Sequence, residues 1–242
     1  MKVLVVGASG GSGLAATQCL LERGCEVTAM ARDPSALPAD LSTGLPSVGG
    51  RLRTVAGDAT RAEDVDRAVA GHDAVVVALG IREHPLRVRL LGPAQTSMDV
   101  RSRGTHAVIE AMRRHGVRRL VVQTSYGVGS TQGRLPWHVR WMFALLLRPQ
   151  IHDTGLQEQA VRGSALDWVL VQPVNLTDEA TSAPALASTT GDFQRLTVSR
   201  RQVGEFLAEA ALSDRYVGTC VALSAQAAEL ATRLHRCGRR PA

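Results

Sequence analysis

The sequence predicts an α/β fold: one domain over residues 1–242, built on a doubly wound parallel sheet with helices on both faces. Two observations predict this class. Short apolar runs typical of buried strands alternate with longer stretches typical of helices, and no internal repeat interrupts the alternation. With 242 residues, 45% of them hydrophobic, the chain is long enough to bury the core of one such domain.

The first strand and the first helix are joined by a glycine-rich turn. The apolar run Val3–Val6 leads into Gly7–Gly13, and Leu14–Leu21 follows with helical composition. Glycines let the backbone approach a phosphate that a Cβ would block, and the helix amino terminus offers N–H groups and a positive dipole end to the anion. The turn predicts a dinucleotide site formed by Gly7, Ser9, Gly10, Gly11, Ser12 and Gly13.

The rest of the chain repeats the strand and helix pattern. Strands are predicted over Glu26–Ala31, Leu52–Ala56, Asp73–Leu79, Arg118–Gln123, Trp168–Gln172 and Thr219–Leu223. Helices are predicted over Ala62–Ala70, Thr96–His115, Gly155–Arg162 and Arg200–Leu212, with a further helix at the carboxyl terminus. Residues 34–50 are expected to form a loop or short helix, and 80–94 and 174–195 loops.

Ligands of such sheets bind at the carboxyl ends of the strands, where several candidates lie. Arg32 ends the second strand about twenty residues after the glycine turn, where NAD-specific folds place an acid; a guanidinium there favours a 2′-phosphate, and hence NADPH. Asp33 could instead bind the ribose diol or cap a turn. Asp58 could accept from the adenine amino group, cap the next helix, or do both. The small residues that end the fourth strand, next to the adenosine, are Ala78, Leu79 and Gly80.

The chain resembles the atypical short-chain dehydrogenase/reductases, in particular the NmrA-like group that includes the biliverdin reductase B (flavin reductase) type. The resemblance implies a Rossmann-like NADPH fold with the substrate over the nicotinamide, near Ser125 and the segment after Pro173. The matching stretches are Gly7–Gly13, Ala31–Ser35, Gly57–Asp58, Val76–Gly80, Gln123–Ser125, Ser164–Trp168 with Gln172–Pro173, and Ser199–Val203.

The catalytic residues are less well defined. The Tyr–Lys pair of standard short-chain dehydrogenases is missing, because Ser130 stands four residues after Tyr126, and Thr154 falls where many NmrA-like relatives carry lysine. Ser125 matches the serine that the biliverdin reductase B type places beside the nicotinamide. His138 and His152 lie in the segment expected to cover the site, and either could protonate a product or be a surface histidine.

Residues expected to hold the nicotinamide and the substrate follow the fifth and sixth strands. Thr124 and Ser125 on one side and Pro173, Val174 and Asn175 on the other are predicted to contact the cofactor. Segments 130–155 and 174–195 are predicted to cover the substrate. Aromatic residues form 3% of the chain, yet a cluster falls within seven residues; it predicts either a core-packed face or a flat lid over a planar substrate. Its members are Trp137, Trp141 and Phe143.

Together these features predict an NADPH-dependent reductase of a planar aromatic acceptor (a quinone, a flavin or a polycyclic aromatic ketone), with a role expected in secondary metabolism. Hydride transfer to an electron-poor ring needs alignment more than acid–base groups. One alternative is a non-catalytic NADP(H)-binding redox sensor of the NmrA-like type, which the missing Tyr–Lys pair also fits. An isomerase that uses bound NAD ranks last, because Arg32 argues against NAD.

Composition and charge bear on the partners, metal sites and location of the protein. The net charge of +6 comes from scattered arginines without the aromatic interleaving of a nucleic-acid platform, so nucleic acid is not an expected partner. Four cysteines show no metal spacing, which predicts reduced thiols and no metal site. A core strand follows Met1-Lys2 and no apolar stretch reaches membrane length, so we expect a cytoplasmic protein, either monomer or homodimer.

Overall fold

The computed structural model describes residues 1–39, 41, 50–81, 96–137, 148–179, 181 and 183–227. Its centre is an eight-stranded sheet in the order β3-β2-β1-β4-β5-β6-β10-β8, and a small second sheet pairs β7 with β9. The strands are β1 (Lys2–Val6), β2 (Glu26–Ala31), β3 (Arg51–Ala56), β4 (Ala74–Val77), β5 (Arg119–Gln123), β6 (Asp167–Pro173), β7 (Asn175–Thr177), β8 (Leu186–Ser188), β9 (Thr197–Ser199) and β10 (Thr219–Ser224).

The α-helices are α1 (Gly11–Glu22), α2 (Ala62–Val69), α3 (Val100–His115), α4 (Arg148–Arg162) and α5 (Arg200–Leu212). Two short 3₁₀ helices cover Pro34–Ala36 and Gly129–Thr131. Every pairing in the large sheet is parallel except that of β8 with β10. The predicted doubly wound parallel architecture is therefore confirmed, with one antiparallel strand added at the edge.

Alternating strand residues divide the core into two layers. Val3 and Val5 of β1 point to the face covered by α1 and α5, whereas Leu4 and Val6 point to the face covered by α2, α3 and α4. All four side chains are fully buried. Successive strand residues point to opposite faces, so a strand covered on both sides must be apolar throughout, as the sequence of β1 indicates.

Two predicted helices begin elsewhere, and long-range contacts explain one of them. Helix α3 begins at Val100 rather than Thr96, because the carboxylate of Asp153 in α4 accepts hydrogen bonds from the backbone N–H groups of Arg101 and Ser102. This cap comes from a different helix, whereas the side chain of the N-cap residue, Asp99, makes no capping hydrogen bond. Within the described residues α4 covers Arg148–Arg162, so it already contains seven residues before the predicted start at Gly155.

The segment predicted as a loop over 174–195 contains two short strands. Strand β7 pairs with β9, and β8 pairs antiparallel with β10. Each strand has three residues, too few for a period-two pattern to stand out in the sequence. The predicted terminal helix lies outside the described residues.

Candidate functional site

A cleft of about 370 Å³ opens at the carboxyl edge of the sheet, where the strand order reverses between β1 and β4. Ligands bind at this switch point in open α/β sheets. Ten of the predicted cofactor residues line the cleft, namely Gly7, Ser9, Gly10, Gly11, Ser12, Arg32, Asp58, Ala78, Leu79 and Gly80. The cleft is also lined by Thr96, Arg101, Gln123, Leu176 and Arg200.

The glycine turn is shaped by close backbone contacts. Gly7 has φ of +86°, and a Cβ there would come within 2.6 Å of the Ala78 carbonyl oxygen. A Cβ at Gly13 would overlap the Gly7 carbonyl, so Gly13 supports the turn from beneath and does not line the cleft. Helix α1 has no side-chain cap at Gly10 and no acidic residue in its first turn. Its first N–H groups and its positive dipole end suit an anion such as a pyrophosphate.

Arg32 extends from the end of β2 along one side of the cleft. Its guanidinium donates a hydrogen bond to the Thr96 hydroxyl at 3.0 Å, and the residue is exposed. Asp33 caps the 3₁₀ helix Pro34–Ala36. Its Oδ1 accepts hydrogen bonds from the backbone N–H and the hydroxyl of Ser35. Arg32 therefore places a cation where the 2′-phosphate of the ribose would bind.

Asp58 lies beyond the end of β3. Its Oδ1 accepts from the backbone N–H and the hydroxyl of Thr60, at 2.9 and 2.8 Å. Partial burial raises the pKa of Asp58, but the Thr60 hydrogen bonds and the charges of Arg32 and Arg61 outweigh it and hold the pKa below the ordinary value. The carboxylate is thus ionised and able to accept a further N–H.

Arg200 was not singled out for the cofactor by the sequence. It is the first residue of α5, held in place by a capping box between Ser199 and Gln202. Its side chain packs against Gly11, and its guanidinium forms a 2.6 Å ion pair with Asp178. The Ser-x-x-Gln pattern predicts the helix start, but only the packing of α5 on α1 brings the arginine to the glycine turn.

Arg101 also lines the cleft, and like Arg200 it was not among the predicted cofactor residues. It lies in the first turn of α3, beside Gly80. Desolvation lowers the pKa of Arg101, while the charge of Asp153 acts in the opposite direction. Three arginines, Arg32, Arg101 and Arg200, thus line the cleft, which suits a ligand rich in phosphate.

Of the predicted catalytic residues within the described part of the chain, Ser125 and His152, neither lines the cleft. Ser125 follows β5 and is half-buried, and His152 is exposed on α4. Tyr126 is buried, and its hydroxyl donates to the Gly191 carbonyl at 2.7 Å. His138 lies outside the described residues.

The predicted nicotinamide contacts after β5 and β6 are engaged with the protein itself. The Thr124 hydroxyl is buried and donates to the Glu158 carboxylate. The N–H groups of Val174 and Asn175 donate to the Leu223 and Leu196 carbonyls. A ligand would have to meet Pro173–Asn175 through carbonyl groups or side chains.

Of the predicted aromatic lid, only Trp137 falls within the described residues. Its side chain is 73% exposed, so it does not pack on the core. It lies between β5 and α4 in the chain. Trp141 and Phe143 lie outside the described residues.

Among the described residues, no group of three or more His, Cys, Asp or Glu side chains could hold a metal ion. None of the helices in the described part of the chain has the length and apolar character that a bilayer crossing demands.

Sequence comparisons connect the chain to nucleotide-dependent enzymes. A family model described as NAD(P)H-binding matches residues 7–214. A 3-beta-hydroxysteroid dehydrogenase from Mycolicibacterium neoaurum is 37% identical over 134 residues, a stretch that covers 52% of this chain and 32% of that relative. An uncharacterised chloroplastic protein from Arabidopsis thaliana is 26% identical over 88% of this chain and 72% of its own length.

Solved structures share the fold at low identity. The oxidoreductase ylbE from Lactococcus lactis has a TM-score of 0.70 and 16% identity, covering 100% of both chains. ChuY, an anaerobilin reductase from Escherichia coli, has a TM-score of 0.67 and 21% identity over 100% of both chains. A short-chain dehydrogenase/reductase from Veillonella parvula, solved with NADP, has a TM-score of 0.71 and 16% identity, covering 94% of this chain and 95% of that one.

The family match starts at Gly7, the first glycine of the turn, and runs into the residues that follow α5. It spans the glycine turn, strands β2 to β9 and the five α-helices, α1 to α5. The chain therefore belongs to the NAD(P)H-binding family, as the resemblance in its motifs implied.

Proposed function

We propose that this protein is an NADPH-dependent oxidoreductase that reduces a planar aromatic acceptor, such as a quinone, a flavin or a polycyclic aromatic ketone. The observation that carries the proposal is a dinucleotide cleft lined by Arg32, Arg101 and Arg200, in a chain that also carries an exposed tryptophan, Trp137, between β5 and α4. An exposed indole offers a flat apolar surface on which a planar ring can stack.

The preference for NADPH over NADH rests on Arg32. Its guanidinium lies at the end of β2, and Thr96 holds one of its nitrogens. A guanidinium binds phosphate through several charge-assisted hydrogen bonds, whereas a ribose hydroxyl would make a weaker, uncharged contact. Asp33, the residue that could have bound the ribose diol, is occupied with Ser35.

The residues around the cleft would bind and orient the reactants more than exchange protons with them. The glycine turn, Arg32 and Arg200 would hold the phosphates, and Asp58 would accept from the adenine amino group. Bound NADPH supplies the hydride. The Tyr126 hydroxyl is committed to the Gly191 carbonyl, so it does not replace the missing proton donor of a Tyr–Lys pair. An acceptor that takes hydride on an electron-poor ring suits such a site.

Two of the compared proteins add support through their substrates. One is named a hydroxysteroid dehydrogenase and another an anaerobilin reductase, and a steroid and a bilin are both multi-ring compounds.

The two predicted covering segments, 130–155 and 174–195, are also in contact in this chain. Arg134 packs against Gly191 and lies 3.8 Å from the Asp192 carboxylate, so the two segments meet next to the Tyr126 hydroxyl, which donates to the Gly191 carbonyl.

The test is the loss of reduced-nicotinamide absorbance with purified protein, NADPH or NADH, and a panel of quinones, flavins and aromatic ketones. We expect acceptor-dependent oxidation that is faster with NADPH than with NADH. Tight NADPH binding with no oxidation by any acceptor would overturn the proposal in favour of a redox sensor that binds NADP(H) without turnover.

A further inference from the structure

The last residue of β5 has an unsatisfied polar group at the wall of the cleft. Gln123 is 9% exposed and lines the cleft, and its Oε1 is buried without a hydrogen-bond partner among the described residues. Buried polar side chains in native proteins nearly always have a partner. A buried amide without one, at the edge of a ligand site, indicates that the ligand supplies the partner.

The position of β5 in the sheet indicates which part of a dinucleotide this would be. Arg32 and Asp58 follow β2 and β3, which lie on one side of β1, whereas β4 and β5 lie on the other. Because neighbouring strands are about 4.8 Å apart, β5 lies about 10 Å from β1 and about 19 Å from β3. With its pyrophosphate at the glycine turn and its adenine towards β3, a dinucleotide would carry its nicotinamide towards Gln123.

The chemistry of the two groups is complementary. The nicotinamide ring carries a carboxamide, which has a carbonyl acceptor and two N–H donors, and the side chain of Gln123 carries the same group. Rotation of the Gln123 amide exchanges its oxygen and nitrogen, so either end can face the cleft. We infer that Gln123 binds the nicotinamide carboxamide and so fixes the orientation of the ring. This inference rests on the proposed NADPH site and does not depend on the identity of the acceptor.

The test is a cycle of two changes, one in the protein and one in the ligand. Gln123→Met removes the amide and keeps the side-chain length, and Gln159→Met on the exposed surface of α4 is the matched control. Three ligands are titrated into each protein: NADPH, its reduced 3-acetylpyridine analogue, in which a methyl group replaces the carboxamide nitrogen, and 2′,5′-ADP, which lacks the nicotinamide half. Binding is followed by calorimetry, and thermal unfolding without ligand is measured alongside.

We expect Gln123→Met to weaken NADPH binding about three- to tenfold, the effect of one lost hydrogen bond, and to change 2′,5′-ADP binding less than about twofold. The wild type should prefer NADPH to the acetylpyridine analogue, and the variant should lose that preference. Its unfolding temperature without ligand should stay the same or rise, because the unpaired amide is gone. Gln159→Met should bind all three ligands as the wild type does.

Several results would overturn the inference. They are an unchanged NADPH affinity, an equal loss for NADPH and 2′,5′-ADP, a preference over the analogue that survives in the variant, or a marked fall in unfolding temperature. If the expected binding pattern appears but no acceptor is reduced, the contact stands and the reductase proposal fails. If acceptors are reduced while the Kd values do not change, the reductase proposal stands and the role of Gln123 fails.

Discussion

The hydroxyl of Thr124 donates a hydrogen bond of 2.8 Å to the carboxylate of Glu158, which is 2% exposed. The same carboxylate oxygen accepts from the side-chain amide of Gln172, also at 2.8 Å. One acceptor in α4 thereby joins the ends of β5 and β6 beneath the carboxyl edge of the sheet. Arg162 is the cation closest to it in the described structure, 3.6 Å from the other oxygen.

This arrangement predicts that Glu158→Ala lowers the free energy of unfolding by about 3 kcal/mol, because Thr124 and Gln172 lose a charged acceptor inside the protein. Glu158→Gln keeps one carbonyl acceptor in the same place and should cost about 1 kcal/mol. Urea unfolding of the two variants measures the difference. Equal stability of Glu158→Ala and the wild type would show that the network contributes nothing.

Arg32 should decide between the two nicotinamide cofactors. Arg32→Ala is expected to raise the Kd for NADPH about tenfold to hundredfold and to leave that for NADH within about twofold, because the 2′-phosphate is the only group that differs. The matched control is Arg51→Ala, because Arg51 is exposed at the start of β3, at the amino end of the strands. A parallel loss of both cofactors would contradict the assignment of Arg32 to the 2′-phosphate.

Arg200 should act differently, because it packs against Gly11 in the turn that both cofactors share. Arg200→Ala is expected to weaken NADPH and NADH by a similar factor, about tenfold, since the pyrophosphate is common to the two. Calorimetric titration of each cofactor provides the two Kd values. Selective loss of NADPH alone would move Arg200 to the 2′-phosphate.

Trp137 should contribute to acceptor binding only. Because its side chain is 73% exposed, Trp137→Ala should leave the free energy of unfolding within about 0.5 kcal/mol of the wild type. Loss of a stacking surface should raise the KM for an aromatic acceptor several-fold, with the Kd for NADPH unchanged. Steady-state kinetics with one quinone at fixed NADPH tests this, and an unchanged KM would remove Trp137 from the substrate site.

His72 predicts a pH dependence of stability that is independent of the cleft. Its Nε2 lies 2.8 Å from the Thr28 hydroxyl, and Nδ1 lies 3.3 Å from the Val69 carbonyl. Burial lowers the pKa of His72, and the charge of Arg53 adds to this. Hydrogen bonds from the ring to the backbone carbonyls of Val69 and Ala70, and the charge of Asp73, only partly oppose it. The unfolded chain therefore takes up this proton at a higher pH than the folded protein, so acid favours unfolding.

Stability should consequently fall as the pH drops below about 6.5, and the fall should continue to the lower pKa of the folded state. Urea midpoints at about pH 8 and about pH 5.5 measure the loss. His72→Gln should show a smaller difference between the two pH values, and His106→Gln, on the exposed surface of α3, should retain the full difference. The same difference in His72→Gln and the wild type would contradict this origin.

The sequence by itself determined the class of the fold and the place of the dinucleotide turn. Both depend on local pattern: Val3–Val6 is apolar at every position because both faces of β1 are covered, and Gly7 is glycine because its φ is positive and the Ala78 carbonyl is close. Arg32 and Asp58 could be picked out because each lies within two residues of the end of a strand, at the ligand edge of the sheet.

Only the tertiary structure decided which distant side chains meet at that edge. Arg200 reaches Gly11 through the packing of α5 on α1, and Asp153 starts α3 from another helix. The orphaned amide of Gln123 is visible only once its surroundings are known, because whether a polar group is satisfied depends on neighbours far away in the chain. Local patterns specify strands, turns and helices, and the contacts between those elements determine which residues form the site.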